Sequence, residues 1–203
     1  MKSRLSSFGN ASIKRRQFLG SLGLGTVALL LPTRLSAEIL AAGNIVSLRC
    51  LDPKLSFGYL DGRKADGSIG LVSRPNTTKG SGTRWQVVRR GEQLIALKCL
   101  AAAGVPRWLE GKPKTGAVGL TAPTKYPPDA SAWRIVRMDS NDENIVALES
   151  FVAKTGARWL EGRAPNGSVG LASGAGAPPG GRWEVRIHPV LIDGGTRLNP
   201  AEK

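Results

Sequence analysis

Apolar and polar residues alternate over short segments from about residue 44 onward. In the segment NIVSLRC (44–50), Val46 and Leu48 share one face of an extended chain, and Ser47 and Arg49 share the other. Turn-forming residues, such as Asn-Gly, Asp-Gly and Pro-Pro-Gly, separate such segments about every twelve positions. This pattern predicts an all-β protein built from half-buried strands.

The segments occur three times in the same order. The first strands read NIVSLRC, QLIALKC and NIVALES, and the second read GYLDGR, RWLEGK and RWLEGR. The third read GSIGLV, GAVGLT and GSVGLA, and the fourth read RWQVVR, AWRIVR and RWEVRI. The fourth strands align on Trp85, Trp133 and Trp183, which are 48 and 50 residues apart. This period predicts three equivalent units, which span residues 44–92, 93–143 and 144–188.

The residues expected to face the interior occupy the same positions in every unit. Burial of each large apolar side chain contributes about 1.5–3 kcal/mol, so the set is large enough for one shared core. It consists of Val46, Leu48, Leu60, Ile69, Leu71, Trp85 and Val87; Ile95, Leu97, Leu109, Val118, Leu120, Trp133 and Ile135; and Val146, Leu148, Leu160, Val169, Leu171, Trp183 and Val185.

Three units of four strands restrict the architecture. A propeller has blades of this length but needs at least about four of them to close. Three units closed around a pseudo-threefold axis form a β-trefoil, in which a six-stranded barrel is capped by three hairpins and no long sheet edge stays open. We therefore expect an all-β domain with the β-trefoil fold over residues 44–188.

The order Y/W-L-x-G, G-x-V-G-L and R-W-x-V over residues 44–188 resembles the repeats of fascin-like (actin-crosslinking-like) β-trefoil proteins. The resemblance implies the fold and leaves the ligand open. The ricin-type lectins carry Q-x-W in each repeat, whereas this chain has R-W-x-V or A-W-x-V, so their sugar-binding residues do not carry over. Actin binding does not carry over either, because the leader described next is of a prokaryotic type.

Residues 1–37 have the layout of an export signal. Arg15 and Arg16 precede an apolar run of 14 residues, which is shorter than the ~20 residues that span a bilayer. The segment R-R-Q-F-L, which includes Phe18 and Leu19, resembles the twin-arginine signal pattern R-R-x-F-L. The alternative is a general secretory signal that contains an Arg-Arg pair. We expect a periplasmic or extracellular protein that meets the twin-arginine translocation machinery during export.

Cleavage after Ala37 would release residues 38–203, with residues 38–43 as a linker to the domain. Leu35 stands where signal peptidases prefer a small residue, so an uncleaved form anchored in the membrane is the alternative. Six of the 29 Lys and Arg residues precede residue 38, and none of the 15 Asp and Glu residues does. The released chain would carry 23 basic and 15 acidic residues, a net charge of +8. Such a charge favours anionic partners weakly and, without a run of basic residues, does not indicate nucleic acid.

The repeated corner between the second and third strands supplies the candidate binding residues. In each unit an aromatic residue stands two positions before a carboxylate, so the two share the outer face of the strand. An aromatic ring beside a carboxylate can hold a sugar ring, and three copies would provide avidity on a polymer. The six candidates are Tyr59, Asp61, Trp108, Glu110, Trp159 and Glu161.

The alternative interpretation of these corners is structural. The carboxylates would pair with the basic residue two positions later, or with Arg84 and Arg182, while the aromatic rings cover the end of the barrel. The glycine after each acid is predicted to adopt a positive φ in a turn; these residues are Gly62, Gly111 and Gly162.

Cys50 and Cys99 occupy equivalent positions, and Ser150 stands in the third copy. In an exported protein two cysteines suggest a disulfide, which requires their Cα atoms to lie within about 7 Å. Free thiols are the usual state of cysteines in the core of a strand. Both alternatives stay open.

No catalytic or metal-binding motif stands out in the sequence. It contains no G-x-S-x-G elbow, P-loop or H-E-x-x-H segment, and the single histidine, His188, lacks neighbours at ligand spacing. The repeated carboxylates would have equal environments, whereas catalytic pairs need different ones. We therefore expect a monomeric binding protein that is not an enzyme and needs no cofactor or metal.

Two hypotheses for the ligand follow. The first is a carbohydrate or an anionic cell-envelope polymer bound at the repeated corners. The second is a protein partner, bound or inhibited through loops 73–83 and 122–131, which differ between the units. The tail, residues 189–203, is expected to be a surface extension with a short strand at Val190–Ile192.

Overall fold

A computed structural model describes residues 39–55, 58–62, 66–75, 81–101 and 104–189. The predicted leader with Arg15, Arg16, Phe18 and Leu19 lies outside the described residues, as does the tail after Pro189 with its predicted strand. None of the helices in the described part is long and apolar enough to cross a membrane.

Twelve strands and two short 3-10 helices form in the described part of the chain, and each strand lies within two residues of a segment predicted from the sequence. The 3-10 helices are Asp129–Ser131 and Pro179–Gly181. The strands are β1 (Ile45–Cys50), β2 (Tyr59–Gly62), β3 (Ile69–Val72), β4 (Trp85–Arg89), β5 (Leu94–Cys99), β6 (Leu109–Lys112), β7 (Ala117–Leu120), β8 (Trp133–Arg137), β9 (Ile145–Ser150), β10 (Ala157–Arg163), β11 (Ser168–Ser173) and β12 (Trp183–His188).

Six of these strands close a barrel. The first and fourth strands of each unit pair antiparallel in the order β1, β4, β5, β8, β9 and β12. β12 then returns to β1 over six residue pairs, from Ile45–His188 to Cys50–Trp183. Because the first and last strands pair fully, the barrel has no open edge.

The remaining strands form three hairpins, β2–β3, β6–β7 and β10–β11. Each hairpin donates one backbone N–H to a glycine carbonyl of another hairpin, and each of these three bonds is 2.8 Å long. These glycines, at equivalent turns, have φ values of 74°, 68° and 66°, a region that favours glycine. The three bonds run from Leu71 to Gly167, from Leu120 to Gly67 and from Leu171 to Gly116. The equivalence of the bonds confirms the predicted pseudo-threefold arrangement.

The fourth-strand tryptophans lie at one depth in the core, each with 0% of its surface exposed. Every indole Nε1 donates a hydrogen bond to the carbonyl of the second-strand leucine of its own unit. The distances are 3.3, 3.0 and 3.0 Å for the pairs Trp85–Leu60, Trp133–Leu109 and Trp183–Leu160. The bond satisfies the one polar atom of a large buried ring, and it joins the barrel to each hairpin.

The predicted core is confirmed with two differences. Four of the expected residues, Ile69, Val118, Ile135 and Val169, are only partly buried but pack against the core cluster. Leu40 belongs to the core as well, with 1% of its surface exposed. The segment 38–43, expected to be a linker, therefore contributes to the domain.

The prediction for the glycines after the corner acids is wrong. Gly62, Gly111 and Gly162 lie inside the second strands and do not have a positive φ. A Cβ atom on Gly62 would come within 2.8 Å of the sulfur of Cys99 and 3.0 Å of the ring of Trp85. At all three glycines core side chains approach the strand so closely that an added Cβ would force them to shift.

Cys50 and Cys99 are free, buried thiols, so no disulfide links them. The Cys50 sulfur donates to the carbonyl of Gly180 at 3.3 Å, and the Cys99 sulfur donates to the carbonyl of Gly62 at 3.7 Å. Burial raises the pKa of the Cys50 thiol because the thiolate loses its hydration. The cysteines therefore serve as small core side chains.

Replacing Trp133 by phenylalanine tests the buried indole bond. We expect Trp133→Phe to lower the free energy of unfolding by about 1–3 kcal/mol, because the Leu109 carbonyl loses its donor and the smaller ring leaves space. Urea denaturation measures the change, with Tyr126→Ala at an exposed position as the control. An unchanged midpoint for Trp133→Phe would contradict a structural role for this bond.

Candidate functional site

The aromatic rings of the repeated corners are buried. Tyr59, Trp108 and Trp159 have 7%, 4% and 5% of their surfaces exposed. This corrects the expectation that they form open plates, because a sugar can stack only on an exposed ring face. The structural interpretation of the corners describes the aromatic residues better.

Each corner ring is also held by a hydrogen bond. The indole Nε1 of Trp108 donates to the Thr124 carbonyl at 3.1 Å, and that of Trp159 donates to the Gly174 carbonyl at 3.2 Å. Arg186 donates to the Tyr59 hydroxyl at 2.9 Å. The two tryptophans thus fasten the loop that follows the hairpin of their own unit.

The corner carboxylates lie beside basic neighbours in two units. Glu161 accepts from Arg163 Nε at 3.1 Å, and Glu110 lies 3.9 Å from Lys112 Nζ. Asp61 is half-buried, with Gly82 packed against its carboxylate. The structure therefore buries the aromatic ring at every corner and leaves the acid partly exposed.

Arg84 and Arg182, the other proposed partners of these acids, form no ion pair within the described ranges, and their Nε atoms are buried without a hydrogen bond. Burial lowers the pKa of His188, and the positive charge of Arg84 lowers it further. Among all the described residues, no three His, Cys, Asp or Glu side chains come together as they would around a metal ion.

Charged residues occupy a second set of equivalent positions, where the first strand of one unit pairs with a fourth strand. Arg49 faces Glu184 in an ion pair of 3.5 Å, and Glu149 faces Arg134 in an ion pair of 3.0 Å. A hydrogen bond from Arg186 to Glu184 raises the pKa of that arginine. Two of the three positions therefore carry a complete ion pair.

At the third position Lys98 faces Gln86. Lys98 has no ion-pair partner in the described part of the chain, and its side chain is half-buried. Its backbone bridges that of Trp108, just as Arg49 bridges Tyr59 and Glu149 bridges Trp159. The three equivalent positions differ in charge although they share the same backbone.

Loop 122–131 is held at both ends. The Thr124 N–H donates to the Pro106 carbonyl at 2.9 Å, next to the bond from Trp108. At the other end the guanidinium of Arg90 donates to the carbonyls of Pro127 and Pro128 at 3.0 and 2.9 Å, and to Asp129 at 3.1 Å. Many bonds of this kind over a few residues fix the conformation of a loop.

Lys125 and Tyr126 project from this loop between its two attachments. Tyr126 has 70% of its surface exposed, and the Lys125 ammonium lies 5.4 Å from the centre of its ring. Val105, which precedes the Pro106 contact, is 52% exposed. Together with Lys98 these residues form what we call the repeat-2 surface.

The equivalent loop of the third unit has the same framework without the large side chains. Its Gly174 carbonyl accepts from Trp159 as that of Thr124 accepts from Trp108, and Pro178 precedes its 3-10 helix as Pro128 does. Counted from these prolines, Ala175 and Gly176 replace the Lys-Tyr pair. The loop therefore folds without a lysine and a tyrosine at these positions. The Lys125–Tyr126 pair could have been found in the sequence by aligning the repeats and looking for the positions at which they differ.

Loop 73–83, the other non-repeated candidate, is described only in part, because residues 76–80 lie outside the described ranges. At its end Ser81 and Thr83 are buried, and their hydroxyl groups form a hydrogen bond of 2.9 Å. This end of the loop is part of the packed domain.

A cavity of about 290 Å³ lies at the corner of the first unit. Arg49, Asp52, Tyr59 and Ser73 contribute polar atoms to its lining. Of the six predicted corner residues, Tyr59 is the member that borders this cavity.

Comparisons with known proteins identify the fold. No protein-family model matches the sequence, and no curated protein matches it. The chain is similar to the solved BEL beta-trefoil, with a TM-score of 0.55 and 18% identity over 73% of this chain and 95% of that one. The chain has the β-trefoil fold.

Two larger proteins contain a similar part. A GlcNAcα1-4Gal-releasing endo-β-galactosidase from Clostridium perfringens matches with a TM-score of 0.55 and 12% identity, over 71% of this chain and 32% of that one. Cry35Ab1 matches with a TM-score of 0.55 and 10% identity, over 74% and 37%. The chain thus spans about a third of each, and the likeness concerns the fold alone.

The role of the corner aromatics can be tested by stability. We expect Trp159→Ala to lower the free energy of unfolding by about 3–5 kcal/mol, because a buried ring is lost and the Gly174 carbonyl loses its donor. Glu161→Gln, which removes one partly exposed ion pair, should cost less than about 1 kcal/mol. Thermal and urea denaturation measure both changes. Equal, small effects would show that the ring is available for a ligand.

Proposed function

We propose that this chain is an exported, non-enzymatic module that binds a protein partner through the repeat-2 surface. The observation that carries the proposal is the Lys125–Tyr126 pair, which projects from a fixed loop whose counterpart in the third unit has Ala175 and Gly176. Since the loop forms without these side chains, folding does not account for them. Export is supported by the Arg15-Arg16 leader.

A protein partner fits this surface better than a glycan at the corners. An exposed tyrosine beside an exposed aliphatic residue, Val105, is typical of the few residues that dominate binding between proteins. A loop fixed before binding loses little conformational entropy in the complex, which increases affinity. The corner rings, by contrast, are covered by the protein itself.

A non-catalytic role is supported by the surroundings of the corner carboxylates. Glu110 and Glu161 both lie beside a basic residue, Lys112 or Arg163. A pair of catalytic carboxylates acts as acid and base only where the two stand in different surroundings. The resemblance of the repeats to fascin-like β-trefoils also points to a binding role.

A carbohydrate ligand is the second candidate, with the cavity of the first unit as its site. The cavity's lining by Arg49, Asp52 and Tyr59 offers both hydrogen-bond donors and acceptors to a small polar ring. Its volume of about 290 Å³ is at the lower end of ligand sites. The similarity to part of an endo-β-galactosidase, whose substrate is a glycan, supports this candidate only through the fold.

A paired selection tests the proposal. The protein is panned against a phage library of random peptides and applied to an array of neutral and acidic glycans. We expect peptides to be enriched on the protein and to bind at least about tenfold more weakly to the double variant Lys125→Ala, Tyr126→Gly, because its loop presents no anchor. That variant copies the third unit, so its unfolding midpoint should not change.

Lys154→Ala, at an exposed lysine outside the repeat-2 surface, is the control and should retain the peptides. The proposal is overturned when no peptide is enriched, or when the double variant binds the same peptides equally well. Glycan binding that survives the double variant and is lost in Asp52→Asn would support the second candidate instead.

A further inference from the structure

The three equivalent cross-strand positions differ in one feature, the presence of an acid. Arg49 and Arg134 each face a glutamate across the strand pair, whereas Lys98 faces the neutral Gln86. The backbone is the same in all three places, and two of them hold a carboxylate within ion-pair distance of a base. At the third position the basic residue, Lys98, therefore faces a neutral residue, Gln86, where a glutamate would form an ion pair with it.

Lys98 pairs with the residue whose ring also holds the Tyr126 loop. Its backbone bridges that of Trp108, and the indole of Trp108 donates to the Thr124 carbonyl, two residues before Tyr126. The Thr124 hydroxyl in turn donates to the Tyr126 carbonyl at 3.2 Å. Both residues are thus linked to Trp108, Lys98 through the backbone and the Tyr126 loop through the indole.

The charge around this indole is positive. The Lys125 ammonium lies beside the Tyr126 ring, and Lys98 has no ion-pair partner in the described part of the chain. The acids of the same unit, Glu110 and Asp129, already lie beside Lys112 and Arg90. An incoming carboxylate therefore meets the positive charge of Lys98 and Lys125 here, which favours association with an acidic partner.

The apolar residues of the surface narrow the class of partner. Val105 and Tyr126 are largely exposed, and neither would contact a purely charged ligand such as phosphate. A peptide segment that carries an acid next to an aromatic or aliphatic residue uses both features. Each of the other two pairs contains a carboxylate: Glu184 stands at the position of Gln86, and Glu149 stands at the position of Lys98.

We infer that Lys98 binds a carboxylate of the protein partner, and that the partner presents it on an acidic segment with an apolar residue beside the acid, which packs on Val105 and Tyr126. This inference rests on the proposed function and specifies the chemistry of the partner. In the complex the partner's carboxylate supplies Lys98 with an ion pair like those between Arg49 and Glu184 and between Arg134 and Glu149.

The test uses two synthetic peptides, acetyl-Gly-Phe-Glu-Leu-Gly-Gly-amide and its Gln counterpart, titrated into the ¹⁵N-labelled protein. We expect the Glu peptide to shift the amide signals of Lys98, Val105 and Tyr126, and to bind about fivefold more tightly than the Gln peptide. The difference should shrink as salt is added, because ions screen an exposed pair.

Lys98→Gln should remove the preference for the Glu peptide, and Lys112→Gln is the matched control. Lys112 is a lysine of the same unit that already lies beside Glu110, so its loss should change the affinity less than about twofold. Lys98→Gln should also leave the unfolding midpoint unchanged, which shows that a loss of binding is not a loss of folding.

The outcomes separate this inference from the proposed function. Equal binding of both peptides at Tyr126 overturns the role of Lys98 but leaves a protein-binding loop. Shifts caused equally by inorganic phosphate, or signals that move elsewhere on the barrel, also overturn the inference. When the phage library selects peptides that bind through Tyr126 but carry no acid, the proposed function stands and the inference fails.

Discussion

The hydrogen bond from a buried indole to a leucine carbonyl holds this trefoil together. It occurs three times, in Trp85, Trp133 and Trp183, and each time it joins the barrel to the second strand of a hairpin. A ring of this size can be fully buried only when its N–H finds an acceptor. The strand must then run close to the ring, and glycines such as Gly62 and Gly111 leave the space for that approach.

Symmetry separates the structural residues from the candidates for function. Where the three units agree, the side chains serve the fold: the core tryptophans, the close-approach glycines, the turn glycines and the buried corner aromatics all recur. Where they disagree on the same backbone, folding does not dictate the residue. The Lys125–Tyr126 pair and the unmatched Lys98 are departures of this kind, and both are linked to Trp108, the loop of the pair through the indole and Lys98 through the backbone.

The buried corners show why a repeated motif was a poor indicator of a ligand site. The spacing of Trp159 and Glu161 predicts that both lie on the outer face of a strand, but it does not reveal what covers that face. The loop that comes back over Trp159 lies fifteen residues further along the chain, at Gly174. Only folding brings the carbonyl to the indole, and the same event removes the ring from any ligand.

The amino-acid sequence alone determined the strands, the three units and nearly all of the core, because alternation and period are local properties that each segment carries by itself. Tertiary structure decided the rest. The distance between Cys50 and Cys99, the backbone conformation of Gly62 and the burial of Trp108 depend on segments that are remote in the chain. The exposure of Tyr126 does too, since the loop is positioned by Arg90, which follows β4, and by Trp108, which precedes β6. Packing between distant segments leaves no periodic trace in the sequence.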